Sequence, residues 1–231
     1  MLSYYQQQTK LFNHLEKQFK KGMPVSEIVP IHKDYVNDDR ICFTSVVFVP
    51  KNISKNIQKN FINPLQKIDN SQYYYPADSM HLTIQNVRTI SSPKLFTKDD
   101  IEKVKDLFKN IIPKFHKFKF RAEGIFETPT SLSVKCFSNS YLRDLVLALR
   151  IGLDKIGVPD NKNYGSDSVF FGNISFCRYY QKPTKDFFAQ VHKLKSIEIG
   201  EMAVSKISLI TTNAVASPQK TKIIAEYNLS P

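Results

Sequence analysis

Glycine is scarce in this sequence, with seven in 231 residues. Loops that cradle phosphates place glycines in fixed patterns, and neither GxGxxG nor a GxxxxGK run occurs. A dinucleotide-binding dehydrogenase or a P-loop kinase is therefore not expected. The GxSxG elbow of serine hydrolases is missing too. Cysteine is equally thin. Cys42, Cys136 and Cys177 are odd in number, far apart, and each set in an apolar run. That spacing suits neither a disulfide framework nor a zinc cluster, and buried thiols in a reducing compartment are the simplest account. His14, His32, His116 and His192 lie too far apart to suggest metal ligands, so no metal is expected. No apolar run approaches a membrane span. The opening Met1-Leu2-Ser3-Tyr4-Tyr5, followed by three glutamines, has neither the basic stretch nor the apolar core of a signal peptide. The expectation is a soluble, cytoplasmic protein, read as a monomer.

Apolar residues, by contrast, are plentiful. They make up 42% of the chain, and aromatics alone 12%, enough for a sizeable core in one domain or two interlocked lobes. Lys and Arg number 33 against 21 Asp and Glu, a net charge of +12. Such a surplus favours a polyanionic partner, RNA or a nucleotide phosphate first. The plain alternative is that many of these lysines are simply solvated.

Apolar spacing predicts a helix over residues 3–21 and a polar connection over 22–40, marked by Pro24 and Pro30. Residues 1–40 read as an extension ahead of a core at 41–231. Within the core, 41–49 is β-branched and aromatic, as in a covered strand. Helical spacing follows over 53–68, then a strand over 79–88. A capping box at Thr97 and Asp100 opens a helix over 97–112. Strands are expected at 115–122 and around Leu132, Val134 and Cys136. A helix at 140–156, a polar loop, a strand at 169–178, a helix after Thr184 and strands at 201–211 and 221–229 complete the chain. Helices interleaved with successive strands indicate an α+β or mixed α/β fold.

Two of these strands carry polar residues in an alternating pattern. In Met80-His81-Leu82-Thr83-Ile84-Gln85, the residues His81, Thr83 and Gln85 share one face. Their backbones are about 6–7 Å apart, so an imidazole and a hydroxyl project side by side and can hold one phosphate. In Phe171-Gly172-Asn173-Ile174-Ser175-Phe176 the same alternation pairs Asn173 with Ser175.

This order of elements resembles the 2H phosphoesterases, which carry two His-x-Thr/Ser motifs facing each other across a cleft. The group includes 2′-5′ RNA ligases and RNA 2′,3′-cyclic phosphodiesterases. His81-Leu82-Thr83-Ile84 matches the first motif, and Pro76-Ala77-Asp78-Ser79-Met80 is similar to its approach. Asn173-Ile174-Ser175-Phe176 stands where the second motif belongs, with asparagine in the histidine position. The Met202–Ile210 stretch and a closing strand through Tyr227 resemble the family's C-terminal pair. The likeness spans roughly residues 41–229 and leaves out the first forty.

The resemblance implies an α+β, two-lobed fold, with two antiparallel sheets flanking a central cleft and helices outside. It implies acid–base chemistry without a metal or other cofactor. One histidine activates water or a ribose hydroxyl, the other protonates the leaving oxygen, and the Thr and Ser hydroxyls hold the phosphate. His81, Thr83 and Ser175 are then the expected catalytic residues. Asn173, Gln85, Arg178 and Tyr179 are the expected substrate contacts. A carboxamide does not titrate near neutral pH, so Asn173 leaves three possibilities open. The protein is a slow enzyme working through His81 alone, or Arg178 or Tyr179 stabilises the leaving group, or it binds RNA or a nucleotide without cleaving it. Tyr73, Tyr74 and Tyr75 are read as packing rather than base-stacking residues, and His116 as a packed or rim histidine.

Overall fold

The computed structural model describes residues 2–23 and 25–231; Pro24, one of the two prolines that mark the connection, lies outside them. Helix α1 runs Tyr4–Lys20. It starts where it does because Ser3 and Gln6 form a reciprocal capping box that satisfies two free amide donors. Strand β1 (Ile41–Phe48) begins the core and ends before Pro50. The predicted helix over 53–68 is one winding segment with a wider turn inside it: α2 (Lys51–Ile57), a π-helical turn (Gln58–Ile62) and α3 (Asn63–Gln66). Then come β2 (Tyr73–Tyr74), β3 (His81–Ser91) and α4 (Lys98–Ile111), the last with the expected Thr97–Asp100 capping box. Next are β4 (Phe118–Thr128), β5 (Ser131–Phe137), α5 (Ser140–Lys155) and β6 (Gly172–Arg178). The chain closes with α6 (Lys185–Leu194), β7 (Glu198–Val204), β8 (Lys206–Thr212) and β9 (Lys222–Asn228).

The strand expected over 201–211 is in fact two. Met202 and Val204 are buried, then Ile207 and Leu209, so the inward phase slips by one residue at Ser205. β7 pairs with β4, whereas β8 pairs with β1 and β9. The stretch read as one half of a C-terminal pair thus serves both ends of the sheet.

The strands lie in the order β7-β4-β5-β6-β3-β1-β8-β9, every pairing antiparallel, with β2 added on β6. Two sheets are expected from the resemblance; the ladder is continuous instead, but it narrows to a single register pair between β3 and β6. β7 and β8 stand near opposite ends of this order, yet one residue joins them. The sheet must curl to bring those ends together. Helices pack outside it over a large core that includes Phe61, Leu82, Phe120, Leu145 and Ile174. A smaller apolar cluster joins Phe12, Leu15 and Phe19 of α1 to Phe126 and Phe137. Among the described residues, no helix is long and apolar enough to cross a membrane.

Candidate functional site

The two polar strand faces meet at the seam. Leu82 of β3 stands opposite Ile174 of β6, and both side chains are fully buried. Their immediate neighbours therefore turn to the other face. Antiparallel register sets Thr83 alongside Asn173 and His81 alongside Ser175. Gly172 permits this approach: a Cβ there would lie 2.9 Å from Cγ of Leu82 and 2.9 Å from a ring carbon of Phe120. A residue with a side chain at 172 would push β6 away from β3.

Both strands then break their alternation at the same place. Against β1, Ser45 faces Gln85 and Val46 faces Thr83, so β3 carries an extra residue at Ile84. Against β5, Leu132 faces Cys177 and Ser133 faces Ser175, so β6 carries an extra residue at Phe176. Each bulge comes one residue after the motif hydroxyl. Past it, the side chains facing the site are Asn86 and Arg178 rather than Gln85 and Cys177.

A cavity of about 230 Å³ lies over these strands. Thr83, Asn86, Asn173, Ser175 and Arg178 form part of its wall, together with Ser133, Arg150 and Lys162. Ser133 ties the site together. Its hydroxyl accepts from the Asn173 amide at 3.2 Å and shares a hydrogen bond with Ser175 at 3.1 Å. Its position was legible, because Ser131, Ser133 and Lys135 alternate with the apolar Leu132, Val134 and Cys136. Lys162 comes from the polar loop, and nothing in the sequence singles it out. Burial pulls its pKa down, opposed by Glu27 and Asp160 and reinforced by Arg178. Arg178 donates from Nε to the Tyr75 hydroxyl at 2.7 Å. These hydroxyls, amide and cations suit a small anion.

His81 is half-buried and is not part of the cavity wall. Its Nδ1 lies 2.8 Å from the Ser79 carbonyl oxygen. A carbonyl only accepts, so Nδ1 carries the proton and Nε2 keeps the free lone pair. Desolvation holds the His81 pKa below its ordinary 6.5; the Ser79 carbonyl works against this and the positive charge of Arg178 adds to it. The ring is thus neutral and basic at neutral pH.

Two expected substrate contacts are placed elsewhere. Gln85 is buried, donating to the Asn86 carbonyl at 2.7 Å and to the Asp160 carboxylate, and accepting from Arg150 at 3.3 Å. The bulge at Ile84 has turned it out of the cavity. Tyr179 is 1% exposed and packs against Phe187 and Phe188. It directly follows Arg178 and so takes the opposite face. Tyr73 and Tyr75 are buried beside Tyr35 and Tyr180, in line with packing. His116 is an exposed residue whose Nδ1 lies 2.7 Å from the Pro231 carbonyl oxygen. Among the described residues, no three His, Cys, Asp or Glu side chains gather to hold a metal ion.

No family model matches this chain, and neither does any curated relative. Solved structures do. A Thermus thermophilus protein, TT0787, superposes with a TM-score of 0.58 at 16% identity, over 82% of this chain and 97% of its own. A structure described as a phosphoesterase gives 0.56 at 14% identity, over 84% of this chain and 100% of its own. E. coli LigT, solved with 3′-AMP, gives 0.53 at 14% identity, over 84% of this chain and 100% of its own. The likeness is one of fold.

Proposed function

We propose that this chain, folded like LigT and the phosphoesterase structure, is a 2H phosphoesterase-like protein. It acts on or binds the 2′,3′-cyclic phosphate or 2′-5′ phosphodiester of a nucleotide or RNA. The observation that carries the reading is the seam, which brings Thr83 beside Asn173 and Ser175 in the wall of a cavity that also holds Arg178, and sets His81, itself outside that wall, in register with Ser175. LigT itself has been solved with 3′-AMP, ATP and phosphate. The core carrying the chemistry is the two-lobed residues 41–231, with residues 1–40 as an N-terminal helical extension, and the protein works as a cytoplasmic monomer.

In the hydrolytic step Nε2 of His81 takes a proton from water as the water oxygen bonds to phosphorus. One ring P–O bond breaks, and the departing ribose oxygen must gain a proton. Thr83, Ser175 and Arg178 hold the phosphoryl oxygens as charge builds. Asn173 can orient the leaving oxygen but has no acidic proton to give, so solvent must supply it. A missing proton-transfer partner costs about 10²–10⁴ in rate. The second reading, binding without turnover, draws on the Asn173 amide already engaged with Ser133.

The test is an RNA ending in 2′,3′-cyclic phosphate, without added metal. Turnover by the wild type that is lost in His81→Ala supports a slow enzyme. Binding alone, with cleavage appearing in Asn173→His, supports the binding protein. No binding and no turnover in either protein removes the RNA part of the reading.

A further inference from the structure

The structures of like fold are covered over 97–100% of their own length, while about a sixth of this chain has no counterpart in them. The segment ahead of β1 is of that size, and it bears directly on the site. Leu11, Leu15 and Phe19 of α1 line the same cavity as Thr83, Asn173 and Ser175, and so do residues 26–29.

This segment is firmly seated on both sides of the seam. On the β4–β6 side, the Phe12 ring lies 5.1 Å from Phe126 and 4.0 Å from Phe171. The Gln8 amide donates to the Phe170 carbonyl at 2.6 Å and accepts from the Ser138 amide at 3.2 Å. Glu16 is held between Lys135 at 3.1 Å and Lys195 at 3.0 Å. Leu15 sits so close over Gly165 that a Cβ there would lie 2.5 Å from it. On the β1–β8 side, the Asn213 amide donates to the carbonyls of Tyr35 and Val36 at 3.0 and 3.1 Å. Residues 25–34 must therefore cross from one side to the other. Glu27 does so with its amide on the Asn163 carbonyl at 3.1 Å.

The cavity has two chemically different ends. Thr83, Ser133, Asn173, Ser175, Lys162 and Arg178 make one end polar and cationic. Leu11, Leu15, Phe19, Phe126, Phe170 and Phe171 make the other apolar and largely aromatic. At about 230 Å³ it falls below the roughly 300–1,000 Å³ of usual small-molecule pockets.

We infer that the N-terminal segment is a size selector that confines this site to single-nucleotide phosphates and turns away RNA strands. The inference rests on the phosphoesterase reading above. The phosphate lies against the hydroxyls and cations. The base, flat and apolar-faced, lies against the α1 side chains and the phenylalanines. A longer strand would have to pass through residues 25–34, which are anchored at both ends.

The experiment compares calorimetric binding of adenosine 2′,3′-cyclic phosphate, an RNA octamer ending in that same nucleotide, and inorganic phosphate. The proteins are the full chain and Leu11→Trp. Leu11 is only half-buried, so a larger ring fits there and fills the apolar end, and a melting curve confirms folding. The wild type is expected to bind the mononucleotide about tenfold or more tighter than the octamer. Leu11→Trp is expected to weaken mononucleotide binding by about tenfold and to leave phosphate binding unchanged. Equal affinity for octamer and mononucleotide, or a mononucleotide affinity untouched by Leu11→Trp, overturns the selector alone. Failure of the wild type to bind any of the three ligands overturns both the selector and the phosphoesterase reading.

Discussion

The Asn86–Arg178 correspondence shows how much one extra residue decides. Strict alternation from His81 and from Asn173 would aim Gln85 and Cys177 at the ligand. A bulge in each strand hands those places to Asn86 and Arg178. At the same scale the proposed hydrolysis hinges on His81. Its folded pKa is depressed below 6.5, chiefly by burial. In the proposed hydrolysis the neutral ring is the active form, so the acid limb of a kcat/KM profile should turn below pH 6.5. Stability follows the same sign. Between the folded pKa and 6.5 the unfolded chain binds more protons, so the contribution of this group falls as pH drops through that window. An NMR titration of the His81 ring tests this without turnover, and an inflection above pH 7 would sink it.

Among the secondary-structure elements, the approach of β6 to β3 is the narrowest fit in the site. Only one register pair joins them, and Gly172 lies beside it. Gly172→Ala would press a methyl group against Leu82 and Phe120. Overpacking of this kind costs about 1–3 kcal/mol, readable as a lower midpoint in urea. Because the strain falls on the seam, ligand affinity should drop further than the stability loss alone accounts for. An unchanged midpoint would show that the two strands have slack. The helices are simpler. Ser3, Thr97 and Thr184 each cap a helix start through their own hydroxyl, which is why these boundaries lie where local sequence puts them.

For the whole molecule, the question is whether α1 belongs to the fold or hangs from it. Phe12 is 1% exposed and sits among Phe126, Phe137 and Phe171. If the first forty residues fold with the rest, Phe12→Ala should cost about 3–5 kcal/mol in a single unfolding transition. A loss under about 1 kcal/mol, or a separate early transition, would mark the segment as an appendage. The curl of the sheet is a property of this scale too. It arises because Ser205 joins a strand paired with β4 to one paired with β1.

The sequence by itself determined most of the elements and the polar alternation of the two motif strands, since both rest on contacts between near neighbours. Alternation along HLTI and NISF, helical spacing, capping boxes and the asparagine at 173 are all read within a few residues. Even the phase slip at Ser205 was there to be seen. Only the tertiary structure decided which of those side chains meet. Bulges are defined by a partner strand, so the exchange of Gln85 for Asn86 is invisible along one strand. The entry of Ser133, Lys162 and the α1 leucines into the cavity depends on residues far apart in the chain, brought together by burying apolar faces that local pattern cannot pair.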